Sequence, residues 1–127
     1  MAQSEKTLLF VDDNQVALSG WSLYLQQHGY TVLSAANPEI GLQIFATQPI
    51  TGVILDYAMP ELNGEAVSAL MKRVKPDVPI IMFTGVSELP AAILNSIDAV
   101  MTKGRPPADL LAMIDRLFGV ARSATAA

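Results

Sequence analysis

Residues 51–60 read TGVILDYAMP, an apolar run that reaches Asp56 and is followed by a turn with Pro60. Short runs that are apolar at consecutive positions are typical of strands covered on both faces, as in a parallel sheet between helices. Asp56 is therefore expected at the carboxyl end of a buried strand. Four further runs are predicted to be strands. Residues 7–11, 79–83 and 97–101 are of this kind, and residues 30–35 alternate and are rich in β-branched residues.

The first helix is predicted between the first two runs, over residues 14–28. Gly29 follows at the position that a C-cap glycine usually takes. Apolar residues recur at helical spacing within the segment and are predicted to form its inner face. They are Val16, Ala17, Trp21, Tyr24 and Leu25.

A second helix is predicted to begin at Asn37 and Pro38, an N-cap residue followed by a proline at the first helical position. It would run to about residue 47, with Ile40, Ile44 and Phe45 facing inward. The remaining predicted helices cover about 65–74, a short segment from a Ser87 cap through 95, and a last segment from beyond residues 104–107 to about 120.

The alternation of apolar runs and helices makes five βα units. Because such crossovers are right-handed, the units predict an α/β fold with a doubly wound open sheet. The length fits one domain over residues 1–127, with a core at about 7–120 and a flexible tail at 121–127.

Composition narrows the function classes. The net charge is −4 and the basic residues form no stripe, so direct nucleic-acid binding is not expected. The absence of cysteine excludes disulfides and thiolate chemistry. The apolar runs are too short for membrane insertion and no signal peptide is visible, so a cytoplasmic location is expected.

Polar residues stand where the apolar runs end. Asp12 and Asp13 follow the first run, Asp56 ends the third, Thr84 the fourth and Lys103 the fifth. In open α/β sheets the carboxyl ends of the strands border the ligand crevice, so these side chains should converge. Carboxylates without histidine or cysteine suit Mg²⁺, with Mn²⁺ as a further possibility.

At this point the chain resembles the receiver domain of bacterial two-component response regulators, over about residues 7–120. The resemblance implies a flavodoxin-like (βα)5 three-layer sandwich with strand order 2-1-3-4-5. The motifs that carry it are Val11-Asp12-Asp13-Asn14, Leu55-Asp56-Tyr57-Ala58-Met59-Pro60 followed by Asn63-Gly64, Thr84-Gly85, and Lys103.

The resemblance also implies roles for these residues. Asp56 would accept a phosphoryl group from a phosphohistidine on a sensor histidine kinase or a histidine phosphotransfer protein. Thr84 would move to bind the phosphoryl group, and Lys103 would pair with it. The Mg²⁺ ligands would be Asp12, Asp13, Asp56 and the backbone carbonyl of Ala58, with Asp13 the more direct of the acidic pair.

Phosphorylation in this family changes the surface formed by helix 4, strand 5 and helix 5, which would then contact an unknown downstream protein or a second copy. Two departures affect that surface. Val100 stands where the family usually has an aromatic side chain that turns inward, and Gly104 stands where it has a cis proline. A cis bond without proline costs about 3–4 kcal/mol, so a trans bond or a reshaped loop is expected.

Other interpretations remain open. Asp12, Asp13 and Asn14 could simply cap the first helix, and His28 could serve only that helix's C-terminal end. A pseudo-receiver that binds partners without phosphorylation is the main alternative, and the chain could be stand-alone or part of a larger regulator. A phosphohydrolase is disfavoured because Ala58 stands two residues after Asp56, where many such enzymes carry an acid.

Overall fold

The computed structural model describes residues 6–86 and 88–118. Its five strands form one parallel sheet in the order β2-β1-β3-β4-β5. This confirms the predicted α/β fold and the strand order 2-1-3-4-5. The strands are β1 Thr7–Val11, β2 Thr31–Ala35, β3 Gly52–Asp56, β4 Ile80–Thr84 and β5 Ala99–Thr102.

Within these ranges, three α-helices and one 3₁₀ helix connect successive strands, and a fourth α-helix follows β5. The first three α-helices each begin after an asparagine, whose side-chain oxygen accepts a backbone N–H three residues later. These bonds satisfy donors that a helix start leaves free. The helices are α1 Gln15–Gln27, α2 Pro38–Thr47, α3 Gly64–Val74, α4 Pro107–Phe118 and the 3₁₀ helix Ala91–Asn95.

The fourth helical segment differs from its prediction. It is a single 3₁₀ segment that follows Pro90 and has no side-chain cap. Within it only Ile93 is buried, so little packing is available to extend it, and tertiary packing supplies most of the stability of helices in proteins. Ser87, the predicted cap, lies outside the described residues, as do the last two positions predicted for the final helix and the predicted tail.

Two side chains predicted to face inward are exposed. Val16 is 84% exposed, because the inner face of α1 is set by the buried residues Leu18 and Leu25. Ile40 is 45% exposed, because its neighbour Gly41 faces the sheet. Adjacent helical residues point about 100° apart, so the two cannot share that face.

Alternating strand residues build the core on the two faces of the sheet. Leu9 and Leu55 belong to one buried cluster, which α2 and α3 cover with Phe45 and Met71. Phe10 and its neighbours belong to the other cluster, which α1 and α4 cover. Both faces are therefore apolar, which accounts for the unbroken apolar runs. Within the described ranges, no helix is long and apolar enough to cross a membrane.

An ion pair ties the amino-terminal edge of the sheet together. The Asp98 Oδ2 atom accepts a bond of 2.8 Å from the Lys72 ammonium and another of 2.8 Å from the Ile80 N–H. Lys72 also donates to the Val78 carbonyl at 2.8 Å. The end of α3 is thereby joined to the starts of β4 and β5.

We expect Asp98→Ala to lower the free energy of unfolding by about 1–2 kcal/mol, because it removes the acceptor of two hydrogen bonds, one of them charged. Urea denaturation measures this. The control is Arg105→Ala, which breaks an exposed pair with Asp109 and should cost no more than about 0.5 kcal/mol. Equal losses in the two variants would contradict the expectation.

Candidate functional site

The sheet brings three carboxylates together. Asp56 is the last residue of β3 and is 3% exposed, while Asp12 follows β1 and is 1% exposed. Because Val11 pairs with Leu55 in the register of these neighbouring strands, the next residues of both strands lie side by side. One carboxylate oxygen from each of Asp12, Asp13 and Asp56 lies within 4.8 Å of the others.

Lys103 reaches this cluster from the edge of the sheet. Its Nζ lies 3.0 Å from Asp56 Oδ1 and 3.6 Å from Asp12 Oδ2. Its backbone N–H donates to the Thr84 carbonyl at 2.7 Å, which holds the residue against β4. The side chain then crosses the Phe83 ring, with Nζ 5.6 Å from the ring centroid, a favourable position for a cation.

The Asp12 carboxylate is only half satisfied. Its Oδ1 accepts the Asn14 N–H at 2.9 Å. Of the three residues in the capping interpretation, Asn14 is the one that caps α1. Its Oδ2 is buried and has no hydrogen-bond partner among the described residues. A buried oxygen in this state calls for an ion or a water. The all-oxygen donor set fits Mg²⁺ or Mn²⁺.

Thr84 and Ala58 lie close to the cluster in the fold, at the end of the neighbouring strand β4 and two residues after Asp56. Thr84 ends β4 and is 1% exposed, and its Oγ1 accepts the Val86 N–H at 3.0 Å. Ala58 is exposed in the loop that leaves Asp56. The roles assigned to both residues stay predictions.

Burial and neighbouring charges shift the pKa values of Asp56 and Lys103. The pKa of Asp56 is raised to about 6, mainly by burial and also by the charges of Asp12 and Asp13, and the hydrogen bond and charge of Lys103 offset part of the rise. Partial burial lowers the pKa of Lys103, but its hydrogen bond with Asp56 and attraction to Asp56 and Asp12 outweigh that and raise it overall. A divalent cation here would favour the ionised carboxylates.

The two departures lie beside this site. Val100 is 38% exposed on β5 and lines an open hollow of about 430 Å³ with Glu88, Leu89 and Leu94. Gly104 has φ of +95°, a conformation that glycine adopts readily and proline cannot. No cis peptide bond occurs in residues 6–86 and 88–118, which confirms the expected trans bond before Gly104.

The other two basic residues considered from the sequence, His28 and Arg105, have local partners. The Nδ1 atom of His28 lies 2.9 Å from the Tyr24 carbonyl within α1, which fits its structural interpretation. The guanidinium of Arg105 pairs with Asp109 at 3.0 Å. Two contacts at the site were not predicted. Phe83, which sequence reasoning did not single out, lies under the lysine side chain. Gly64 was quoted as part of the Asn63-Gly64 motif but was given no contact, and it lies behind Asp56. Their positions along a strand and after a helix cap gave no signal of either contact.

Comparison with known proteins agrees with this arrangement. Residues 8–115 match the family model described as the response regulator receiver domain. The chain is 29% identical to the transcriptional regulatory protein GlrR of Escherichia coli over 109 residues, which is 86% of this chain and 24% of that protein. The chain thus spans about a quarter of that relative's length.

Solved structures show the same resemblance. A CheY-like receiver domain protein from Methanospirillum hungatei has a TM-score of 0.87 and 29% identity, covering 91% of this chain and 94% of the other. The response regulator TrrA of Thermotoga maritima, solved in complex with Mg²⁺–BeF, has a TM-score of 0.84 and 28% identity, covering 88% and 98%.

The raised pKa of Asp56 predicts a pH dependence of stability. Between its unfolded value of 3.8 and its folded value of about 6, the native state holds the proton more tightly. The contribution of Asp56 to the free energy of unfolding therefore falls by up to about 3 kcal/mol as the pH rises from 3.8 to about 6.

Removing the carboxyl group isolates this effect. The free energy of unfolding of Asp56→Asn minus that of the wild type should grow from pH 4 to pH 7 and then level off, in urea titrations without divalent metal. A difference that stays constant across this range would show that burial does not penalise the Asp56 charge.

Metal binding should stabilise the fold. Mg²⁺ that binds only the native state raises the free energy of unfolding by about 2.7 kcal/mol at one hundred times its Kd. The gain should be largely lost in Asp13→Asn and kept in Asp77→Asn, an exposed turn residue. Thermal unfolding with and without Mg²⁺ measures it, and an equal gain in both variants would place the ion elsewhere.

Proposed function

Since the chain belongs to the response regulator receiver family, we propose that it accepts a phosphoryl group on Asp56 in a Mg²⁺-dependent reaction. The donor is a phosphohistidine on a sensor histidine kinase or a histidine phosphotransfer protein. The observation that carries the proposal is the convergence of Asp56 with Asp12, Asp13 and Lys103 at the carboxyl ends of the strands.

The chemistry requires an ionised nucleophile held in place. The bond from Lys103 to Asp56 Oδ1 restrains rotation of the carboxylate and leaves Oδ2 to attack phosphorus. The new P–O bond forms as the P–N bond to imidazole breaks, and the imidazole nitrogen keeps the electron pair. With a pKa of about 6, Asp56 is mostly ionised at neutral pH.

Positive charge stabilises the transferring group. The ammonium of Lys103 lies within reach of oxygens on a phosphoryl group at Asp56, and such pre-positioned charge is the main catalytic resource in phosphoryl transfer. Asp12, Asp13, Asp56 and the Ala58 carbonyl would hold Mg²⁺, which supplies charge neutralisation there.

The output surface is the one formed by the fourth helical segment, strand 5 and the fifth helical segment, which in this structure are the 3₁₀ helix, β5 and α4. The Thr84 hydroxyl turns from the Val86 N–H toward the phosphoryl group, and the surrounding surface then binds a downstream protein or a second copy of the chain. Family members act as phosphoacceptor signalling modules rather than as enzymes with steady turnover. For this chain we propose the same role, in the cytoplasm and without direct nucleic-acid contact.

A second candidate function is a protein-binding module whose output does not depend on phosphorylation. Val100 favours it, because no aromatic side chain is available there to turn inward and fill the adjacent hollow. If the chain is such a module, Asp56→Asn should leave its binding to the partner unchanged. If the chain is a receiver, the same substitution should change that binding.

Incubation with acetyl phosphate and Mg²⁺ should add one phosphoryl group, measured by intact mass. Asp56→Asn should remove the gain, because the nucleophile is lost, and Asp77→Asn should retain it. Lys103→Met should slow the reaction about 100-fold, since one stabilising charge is gone. No gain in the wild type under conditions that label another receiver would contradict the proposal, as would labelling of Asp56→Asn.

A further inference from the structure

Gly64 lies directly behind the proposed phosphoryl acceptor. It is buried and is the first residue of α3. A Cβ atom at this position would lie 2.9 Å from the Tyr57 Cα atom, 3.0 Å from the Asp56 carbonyl oxygen and 2.8 Å from the Met82 Sδ atom. Such distances are at or below the limit of close packing, so an added methyl group forces its neighbours to shift.

Two of these three neighbours are backbone atoms of the site itself, the Tyr57 Cα atom and the Asp56 carbonyl oxygen. Other glycines differ in this respect: a Cβ at Gly41 would meet the Val11 side chain, one at Gly52 would meet the Phe118 ring, and one at Gly20 would meet nothing within 4 Å. Of the glycines in the described ranges, Gly64 alone has backbone among its closest neighbours. Space, rather than an unusual φ angle, excludes a side chain there.

Hydrogen bonds hold α3 in this position. The Gly64 N–H donates to the Tyr57 carbonyl at 2.7 Å, which joins the start of α3 to the residue after Asp56. Asn63 Oδ1 accepts the Ala66 N–H at 3.1 Å and caps the same turn. The bond between Gly64 and Tyr57 therefore joins the two ends of the loop that carries Ala58.

We propose that Gly64 is a positioning residue for phosphoryl transfer. Its missing side chain lets the first turn of α3 pack against the Asp56–Tyr57 backbone, and this contact sets where the Asp56 carboxylate and the Ala58 carbonyl lie. The bond between Asp56 and Lys103 is 3.0 Å long, so a displacement of half an ångström weakens it. The inference rests on the proposed function and deepens it.

The test compares the same change at three glycines. Gly64→Ala should label about 10- to 100-fold more slowly with acetyl phosphate and bind Mg²⁺ more weakly, since misplacement by about 1 Å can cost 100-fold in rate. Gly52→Ala clashes with the core at the start of β3 and should lose stability while its folded fraction keeps the wild-type rate. Gly20→Ala, on the exposed side of α1, should change neither the labelling rate nor the Mg²⁺ affinity.

Mg²⁺ affinity is read from the fluorescence of the single tryptophan, Trp21. Its ring lies edge-on to Phe83 at 5.5 Å, and Lys103 lies over Phe83. Circular dichroism at the assay temperature gives the folded fraction, to which every rate is normalised. Because the affinity is measured without a phosphodonor, it tests Gly64 even if no variant is labelled, so failure of this inference and failure of the proposed function are distinguishable.

A second pair of variants covers the case in which Gly64→Ala does not fold. Asn63→Ala removes the cap of α3 without adding atoms, and Asn37→Ala removes the equivalent cap of α2. We expect similar losses of stability, with a several-fold loss of Mg²⁺ affinity and labelling rate in Asn63→Ala alone. Wild-type affinity and rate in folded Gly64→Ala, or equal effects of the two asparagine changes, would overturn the proposal.

Discussion

The site depends on the ion pair between the buried Asp56 carboxylate and the Lys103 ammonium, 3.0 Å apart. Burial beside two further carboxylates raises the pKa of Asp56, and the lysine offsets only part of that penalty. A single lysine facing three carboxylates leaves the pocket with excess negative charge. The pocket is thus suited to a divalent cation and then to the oxygens of a phosphoryl group.

Parallel strands make this unfavourable cluster possible. Backbone bonds along β1, β3 and β4 fix where the strands end, and the bond from the Lys103 N–H to the Thr84 carbonyl fixes the start of the lysine side chain. The apolar core on both faces of the sheet supports these ends. Energy gained in the core can therefore offset the cost of burying Asp12 and Asp56.

Much of the fold and of the candidate site follows from local patterns. The order of apolar runs predicts the sheet, and the residues at their ends include the four charged groups that meet. The predictions for Val16 and Ile40 were wrong because helical spacing alone does not say which of several apolar faces packs on the sheet. The sequence predicts a short helix from a Ser87 cap through Asn95, but only Ile93 is buried there, and the segment is a 3₁₀ helix over Ala91–Asn95.

The sequence by itself determined the α/β class, the strand ends and the identity of the charged residues, because strand and helix periodicity and turn residues are local properties. Tertiary structure decided the rest. The Asp12 Oδ2 atom without a hydrogen bond from the described residues and the raised pKa of Asp56 arise between segments far apart in the chain. The contact behind Gly64 depends on how the start of α3 packs against the end of β3. These features result from burial and from distances between neighbouring elements, and neither can be obtained from a single segment of the sequence.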